Sequence, residues 1–231
     1  MLSHRPRSSD ASLPSTAKPT PGNAPAEETR ADPVLQAAYD SILEVGVRRT
    51  TLADVARRAG VSRMTVYRKY DDLPRLLSAL LTVELSAILH EVDAHTSGLD
   101  TVRARTATMV ARASAALAGH PILARVLAVD PEALLPLIVD RLGSIQRLAL
   151  EQLTTSIEAG QAPNGDGSIR SGDPALLALM ILMSTQSLVF SSRAISSADQ
   201  LDRIYDELQT MTDAYLTPRR SSDDTANDQT R

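Results

Sequence analysis

The sequence contains no cysteine and no tryptophan, a single phenylalanine (Phe190), and aromatic residues at only 3%. Without thiols there can be no disulfides, thiolate metal sites or cysteine nucleophiles, which fits a reducing, cytoplasmic setting. With few aromatics, and 43% of residues hydrophobic, any core is built from Leu, Ala, Val, Ile and Met. Strand-like alternation is missing as well; the periodicity that is present is helical. No glycine-rich phosphate loop occurs. His90 and His95 stand five apart, off the spacing that stacks two side chains on one helix face. Nothing here assembles a nucleophile with a base or a cluster of metal ligands, so the expectation is a protein that is not an enzyme and holds no metal or cofactor. The N-terminus lacks the apolar segment of a secretory signal. The longest apolar run, Pro174 to Phe190, is interrupted by Ser184, Thr185, Gln186 and Ser187. A membrane span needs about 20 mostly apolar residues, so this run is read as a buried interface helix and no membrane partner is expected.

What is present is unevenly distributed. The chain carries a net charge of −4, yet from Pro33 to Tyr70 seven basic residues (Arg48, Arg49, Arg57, Arg58, Arg63, Arg68, Lys69) face three acidic ones (Asp40, Glu44, Asp54). Cationic charge gathered on one segment of an acidic protein is the footprint of a phosphate-binding face. A merely solvated surface would leave the same charge count.

Residues 1–31 hold Pro6, Pro14, Pro19, Pro21 and Pro25 among Ser, Thr and Ala, and are expected to be a disordered arm. Its cations (Arg5, Arg7, Lys18, Arg30) would suit a neighbouring groove if it were ordered. Residues 218–231 read as a disordered tail. Between these ends, Asp32-Pro33 caps and opens a first helix that Gly46 closes. Thr51 caps a second, with Asp54 three residues on in a capping-box pattern; Gly60 ends it. Ser62 caps a short third helix and Asp72 a fourth, which fades near Asp93. Further helices are predicted near 100–118, 121–129, 131–160 (with a kink or boundary at Pro136), 174–194 and 198–216, with a flexible loop over 161–172. The expected fold is all-α: a three-helix helix-turn-helix head at 32–80, and a bundle of about six helices at 81–217 for ligand sensing and dimerisation.

The informative segment runs from Thr51 to Tyr70. Two short helices meet at Ala59-Gly60-Val61, Ala56 is small enough for a close crossing, and Val61 and Val66 plug the seam. The third helix then turns Arg63, Thr65, Tyr67, Arg68 and Lys69 away from the seam. A helix fits the major groove of DNA, with its N-terminal residues near base edges and its basic and hydroxyl groups near phosphates. Thr51-Leu52, Val55-Ala56, Ala59-Gly60-Val61-Ser62, Thr65-Val66-Tyr67, Tyr70 and Leu76 match, in order and spacing, the N-terminal signature of the TetR repressors, and the segment from about Val34 to Ala79 resembles that family. The resemblance implies a homodimer on a partly palindromic operator in double-stranded DNA, with a ligand pocket in the body whose occupancy moves the heads apart. It places Thr51, Arg63, Thr65 and Tyr67 at the DNA, Tyr67 on a phosphate, and gives Tyr70 a packing role. Ser62, Met64, Arg68 and Lys69 complete the expected DNA-binding set. Met64 stands where the family often has Gly or Pro, and suits thymine methyls or an adjusted docking. Leu73 replaces a usual Lys and removes one phosphate contact that Arg75 is placed to restore. Arg48 and Arg49, ahead of the second helix, are further candidates for the DNA backbone.

In the body, Leu176, Leu177, Leu179, Met180, Leu182, Met183, Leu188 and Val189 make a helix apolar nearly all round, which must be buried on every side. Packing it with the last helix (Leu201, Ile204, Tyr205, Leu208, Met211, Tyr215) against a symmetry mate would form a four-helix interface. Leu176, Leu179, Met183, Leu201, Ile204, Leu208 and Met211 are the expected dimer contacts; completion of a monomer core is the other reading. For a pocket, Met109, His120, Met180, Met183, Gln186, Phe190 and Arg193 are candidates, each with an ordinary reading as a core or surface residue. An aliphatic lining favours a small lipophilic effector. The function expected is a DNA-binding regulator, repressing and ligand-responsive. A helical protein-interaction module and a ligand-independent regulator are the alternatives.

Overall fold

The computed structural model describes residues 32–134, 143–192 and 197–219. The expectations for residues 1–31, for Pro136, for Arg193 and for the tail from Arg220 lie outside these residues. Every regular element among the described residues is helical.

Helix α1 (Pro33–Val45) starts where the Asp32 carboxylate accepts the Val34 N–H at 2.9 Å, with Pro33 at the first position. It buries Leu35, Ala38 and Ile42 on one face. Helices α2 (Leu52–Ala59) and α3 (Arg63–Lys69) follow, then α4 (Leu73–Thr96), capped by Asp72 through the Arg75 N–H at 2.8 Å. Helix α4 runs unbroken through residue 80. Its N-terminal half (Leu76, Leu77, Leu80) seals the head core beneath α1, while its C-terminal half (Ile88, Val92) packs on the body. One apolar cluster therefore passes from the head into the body through α4 and α6.

The body comprises α5 (Val102–Ala118), α6 (Pro121–Val129), a 3₁₀ turn (Pro131–Leu134), α7 (Ser144–Gln161), α8 (Pro174–Ser191) and α9 (Ala198–Leu216). Helix α5 is central and touches α4, α7, α8 and α9. Of the helix expected over 131–160, with a kink or boundary at Pro136, the described residues show a 3₁₀ turn at Pro131–Leu134 and an α-helix from Ser144 whose cap is Gly143. Gly143 has no capping side chain, so no sequence signal marks that start. Both α4 and α8 are long and apolar enough to cross a bilayer by length and composition; here both are elements of the bundle.

The loop before α8 is fastened, contrary to the flexible segment expected. Asp166 accepts the Val102 N–H at 2.6 Å and the Ser168 N–H at 3.0 Å. Gln161 donates to the Arg170 carbonyl at 2.7 Å, and Ile169 is buried. Arg170 donates through Nε to the Tyr215 carbonyl at 2.7 Å and lies over the Tyr215 ring, 4.6 Å from its centroid. Val102 and Tyr215 sit 64 and 45 residues away in sequence, where loop composition gives no sign of them.

Candidate nucleic-acid interface and ligand cavity

The α2–α3 corner is built by local hydrogen bonding. The Asp54 N–H donates to the Thr51 hydroxyl oxygen at 3.1 Å, and the Thr51 hydroxyl donates to the Asp54 carboxylate at 2.7 Å. In the expected capping box the acidic side chain would accept the backbone N–H of Thr51; here it takes the hydroxyl. That hydroxyl, with Arg57 at 3.3 Å, holds the Asp54 carboxyl below the usual range. Leu52, Val55 and Ala56 face inward. Gly60 then takes the left-handed conformation (φ 69°, ψ 24°), and the Val61 N–H returns to the Ala56 carbonyl at 3.0 Å. No atom crowds a Cβ at Gly60, so the positive φ alone is what demands glycine. Ser62 caps α3 by accepting the Thr65 N–H at 3.1 Å, the two hydroxyls lying 2.8 Å apart.

Within α3 only Val66 is buried, at 0% exposure, and Tyr70 follows it into the core. Ser62, Arg63, Met64, Thr65, Tyr67, Arg68 and Lys69 are all exposed, as is Thr51. Met64, at 75%, protrudes furthest among the large apolar residues described. The cations divide. Arg57 pairs with Asp54, Arg58 with Glu44, and Lys69 with Asp32, whose carboxylate raises the Lys69 pKa. Arg48, though exposed, pairs with Asp130 and Glu132 of the body. Arg75 pairs with Asp71 at 3.1 Å, so the cation placed to replace the missing lysine is already engaged. Arg49, Arg63 and Arg68 form no ion pair among the described residues. The charge excess of the segment thus resolves into a few unpaired arginines, two of them on α3.

A cavity of about 150 Å³ lies in the body among α4, α5, α7 and α8. Met109, Gln186 and Phe190 line it; His120, Met180 and Met183 do not. His120 sits at the start of α6, its Nε2 3.2 Å from a Glu84 carboxylate oxygen and its ring edge-on to Tyr39 of α1 at 6.3 Å. It belongs to the junction of head and body. Met180 and Met183 point outward because the inward stripe of α8 is Leu177, Ala178, Ile181, Leu182 and Val189. Sequence reading missed Thr185, Gln146 and Gln152, which also line the cavity. The only trace of Thr185 was its place beside Gln186 inside an apolar run.

One apolar face stays uncovered on the subunit. Leu176, Met180 and Met183 of α8 are exposed at 54%, 50% and 43%, and Met211 of α9 is exposed too. Leu179, Leu201 and Ile204 are half-buried at its margin. Leu208, expected on this face, is in the subunit core, because the inward stripe of α9 is Tyr205, Leu208, Thr212 and Leu216.

The family model for bacterial regulatory proteins of the tetR family matches residues 34–80, the whole α1–α3 corner and the start of α4. An uncharacterized helix-turn-helix-type transcriptional regulator of Mycobacterium bovis is 35% identical over 173 residues, covering 75% of this chain and 84% of the relative. Among solved structures, the TetR family repressor AlkX from a Dietzia strain superposes with a TM-score of 0.60 at 17% identity, over 80% of this chain and 93% of that one. The regulator FadR of Bacillus subtilis, in complex with stearoyl-CoA, gives 0.57 at 20% identity, over 80% and 98%.

Proposed function

Since the chain belongs to the tetR family of bacterial regulatory proteins, DNA-binding transcriptional regulators rather than enzymes, we propose that it is a cytoplasmic repressor whose homodimer grips a partly palindromic operator and releases it when a small lipophilic effector enters the body. The head (32–80) does the binding and the body (81–217) the sensing and pairing. The observation that carries this reading is the disposition of α3. Val66 is the one buried residue within the helix, and Arg63, Tyr67 and Arg68 stand on its outer side without ion-pair partners among the described residues. In the groove, Arg63, Met64 and Thr65 face base edges, while Thr51, Ser62, Tyr67 and Arg68 meet the sugar-phosphate chain. Lys69 acts chiefly through its bridge to Asp32, steadying α3 against α1.

Pairing is supported by the uncovered face of α8 and α9. A patch of Leu176, Met180, Met183 and Met211 is apolar surface that a symmetric partner would remove from water. The effector is supported by the body cavity, with Met109 and Phe190 in its wall.

Selection of bound fragments from genomic DNA, followed by an anisotropy titration in salt, tests the reading. A few enriched fragments should emerge, and log affinity should fall linearly with log salt at a slope of about −0.9 per phosphate neutralised. No enrichment, or affinity indifferent to salt, would reject it in favour of a protein-interaction module.

A further inference from the structure

Among the described residues, no Asp, Glu, Lys, Arg or His side chain lines the body cavity. Its polar residues are Thr106 and Ser114 of α5, Gln146, Gln152 and Ser156 of α7, and Thr185 and Gln186 of α8. Thr106 and Ser114 of α5 satisfy themselves on their own helix, Thr106 donating to the Val102 carbonyl at 2.8 Å and Ser114 to the Val110 carbonyl. On α8, Ser184 does the same to Met180 at 2.9 Å. The next two residues do not. The hydroxyl oxygen of Thr185 and the side-chain carbonyl oxygen of Gln186 are buried without a hydrogen-bond partner, and both residues line the cavity. A hydroxyl beside an α-helical carbonyl normally finds it. Leaving a buried acceptor unmet is costly unless a ligand meets it.

We infer that the cavity selects a neutral, largely aliphatic molecule carrying one hydrogen-bond donor, a hydroxyl or an amide N–H, seated against Thr185 and Gln186. This deepens the effector reading above and rests on it. A carboxylate or phosphate would lose its hydration with no counter-charge among the described residues of the wall. A plain hydrocarbon would fill the space but leave both oxygens unmet. A single donor gives Gln186 its hydrogen bond, and the Thr185 hydroxyl, which both donates and accepts, turns to the ligand oxygen. Leu81, Leu85, Met109 and Phe190 take the chain. Met adapts to flexible aliphatic shapes.

Three probes separate the possibilities on the full-length protein: 1-nonanol, its isomer methyl octyl ether, which lacks the donor, and nonanoate. Binding is read by calorimetry, and release of a selected operator fragment by anisotropy in parallel. The alcohol should bind at least about tenfold more tightly than either of the others. In Gln186→Leu the ratio of alcohol to ether should fall to about one while aliphatic binding persists. Thr185→Val, nearly isosteric, makes the same test if the first variant folds poorly. Nonanoate binding as tightly as the alcohol, an alcohol-to-ether ratio unchanged in both variants, or no binding by any probe would overturn the inference. Operator release by nonanoate alone would uphold the effector reading and sink this one. Alcohol bound without operator release would do the reverse.

Discussion

Arg48, in the turn between α1 and α2, is held by Asp130, a carboxylate buried at the C-terminal end of α6. The Arg48 N–H donates to it at 3.2 Å and the guanidinium Nε lies 3.6 Å away. A Cβ at Gly46 would come within 2.8 Å of the same carboxylate, and Gly46 has φ 86°. The turn that positions α2 is therefore clasped by the body as well as by its own helix.

Asp130→Ala should lower stability by about 1–3 kcal/mol, since it strips a buried acceptor from a backbone N–H and a charged partner. Gly46→Ala should also destabilise, by about 1 kcal/mol or more. Hydrogen exchange should accelerate over residues 46–50 in both variants. Unchanged exchange there would mean that the clasp holds nothing.

The cations of the head should separate by measurement. Arg63→Met and Arg68→Met should each reduce the salt slope of DNA binding by about one, with the melting temperature little changed. Lys69→Met should instead loosen the head, because its ammonium is engaged by Asp32. Tyr67→Ala should weaken binding by about 1–3 kcal/mol with the fold intact. A Lys69 variant that changed only the salt slope would return that residue to the DNA.

Met183→Arg should yield folded monomers in sedimentation. The side chain is 43% exposed on the isolated subunit, so the subunit tolerates the charge, whereas a paired interface would bury it without a partner. A normal dimer would move the interface off this face of α8.

The Asp54 cap predicts a direction with pH. Its carboxyl is held below the usual range by the Thr51 hydroxyl and Arg57. The stability it adds is thus present above the unfolded value of about 4 and lost as pH falls through the lowered folded value. Melting of the wild type and of Asp54→Asn should differ at neutral pH and converge in acid. A difference indifferent to pH would mean that the charge of Asp54 plays no part.

Local features of this fold were legible in the chain. Asp32, Thr51, Ser62 and Asp72 each cap the helix expected of them, because a cap is a bond between a side chain and a backbone two or three residues away. The α2–α3 corner was readable for the same reason, with Gly60 forced by its own φ. What was hidden depends on distance. Lys69 and Arg48 looked like free cations, yet their partners lie 37 and 82 residues away. Helix α8 hid its faces because it is apolar all round, so no periodicity told Met183 from Leu182. In α9, where polar residues mark the outside, Met211 was placed outward and only Leu208 fell on the other side. Thr185 was overlooked because a threonine in an apolar helix ordinarily bonds its own backbone.

The chain's lack of cysteine makes the most direct test simple, since Met64→Cys creates a unique attachment point for an iron chelate that cuts nearby DNA. With a selected operator, cuts should fall in two clusters in the major groove, about one helical turn apart, while the same chelate at Met211→Cys should leave the DNA whole. Tight operator binding with no cuts from position 64 would contradict α3 as the reading helix.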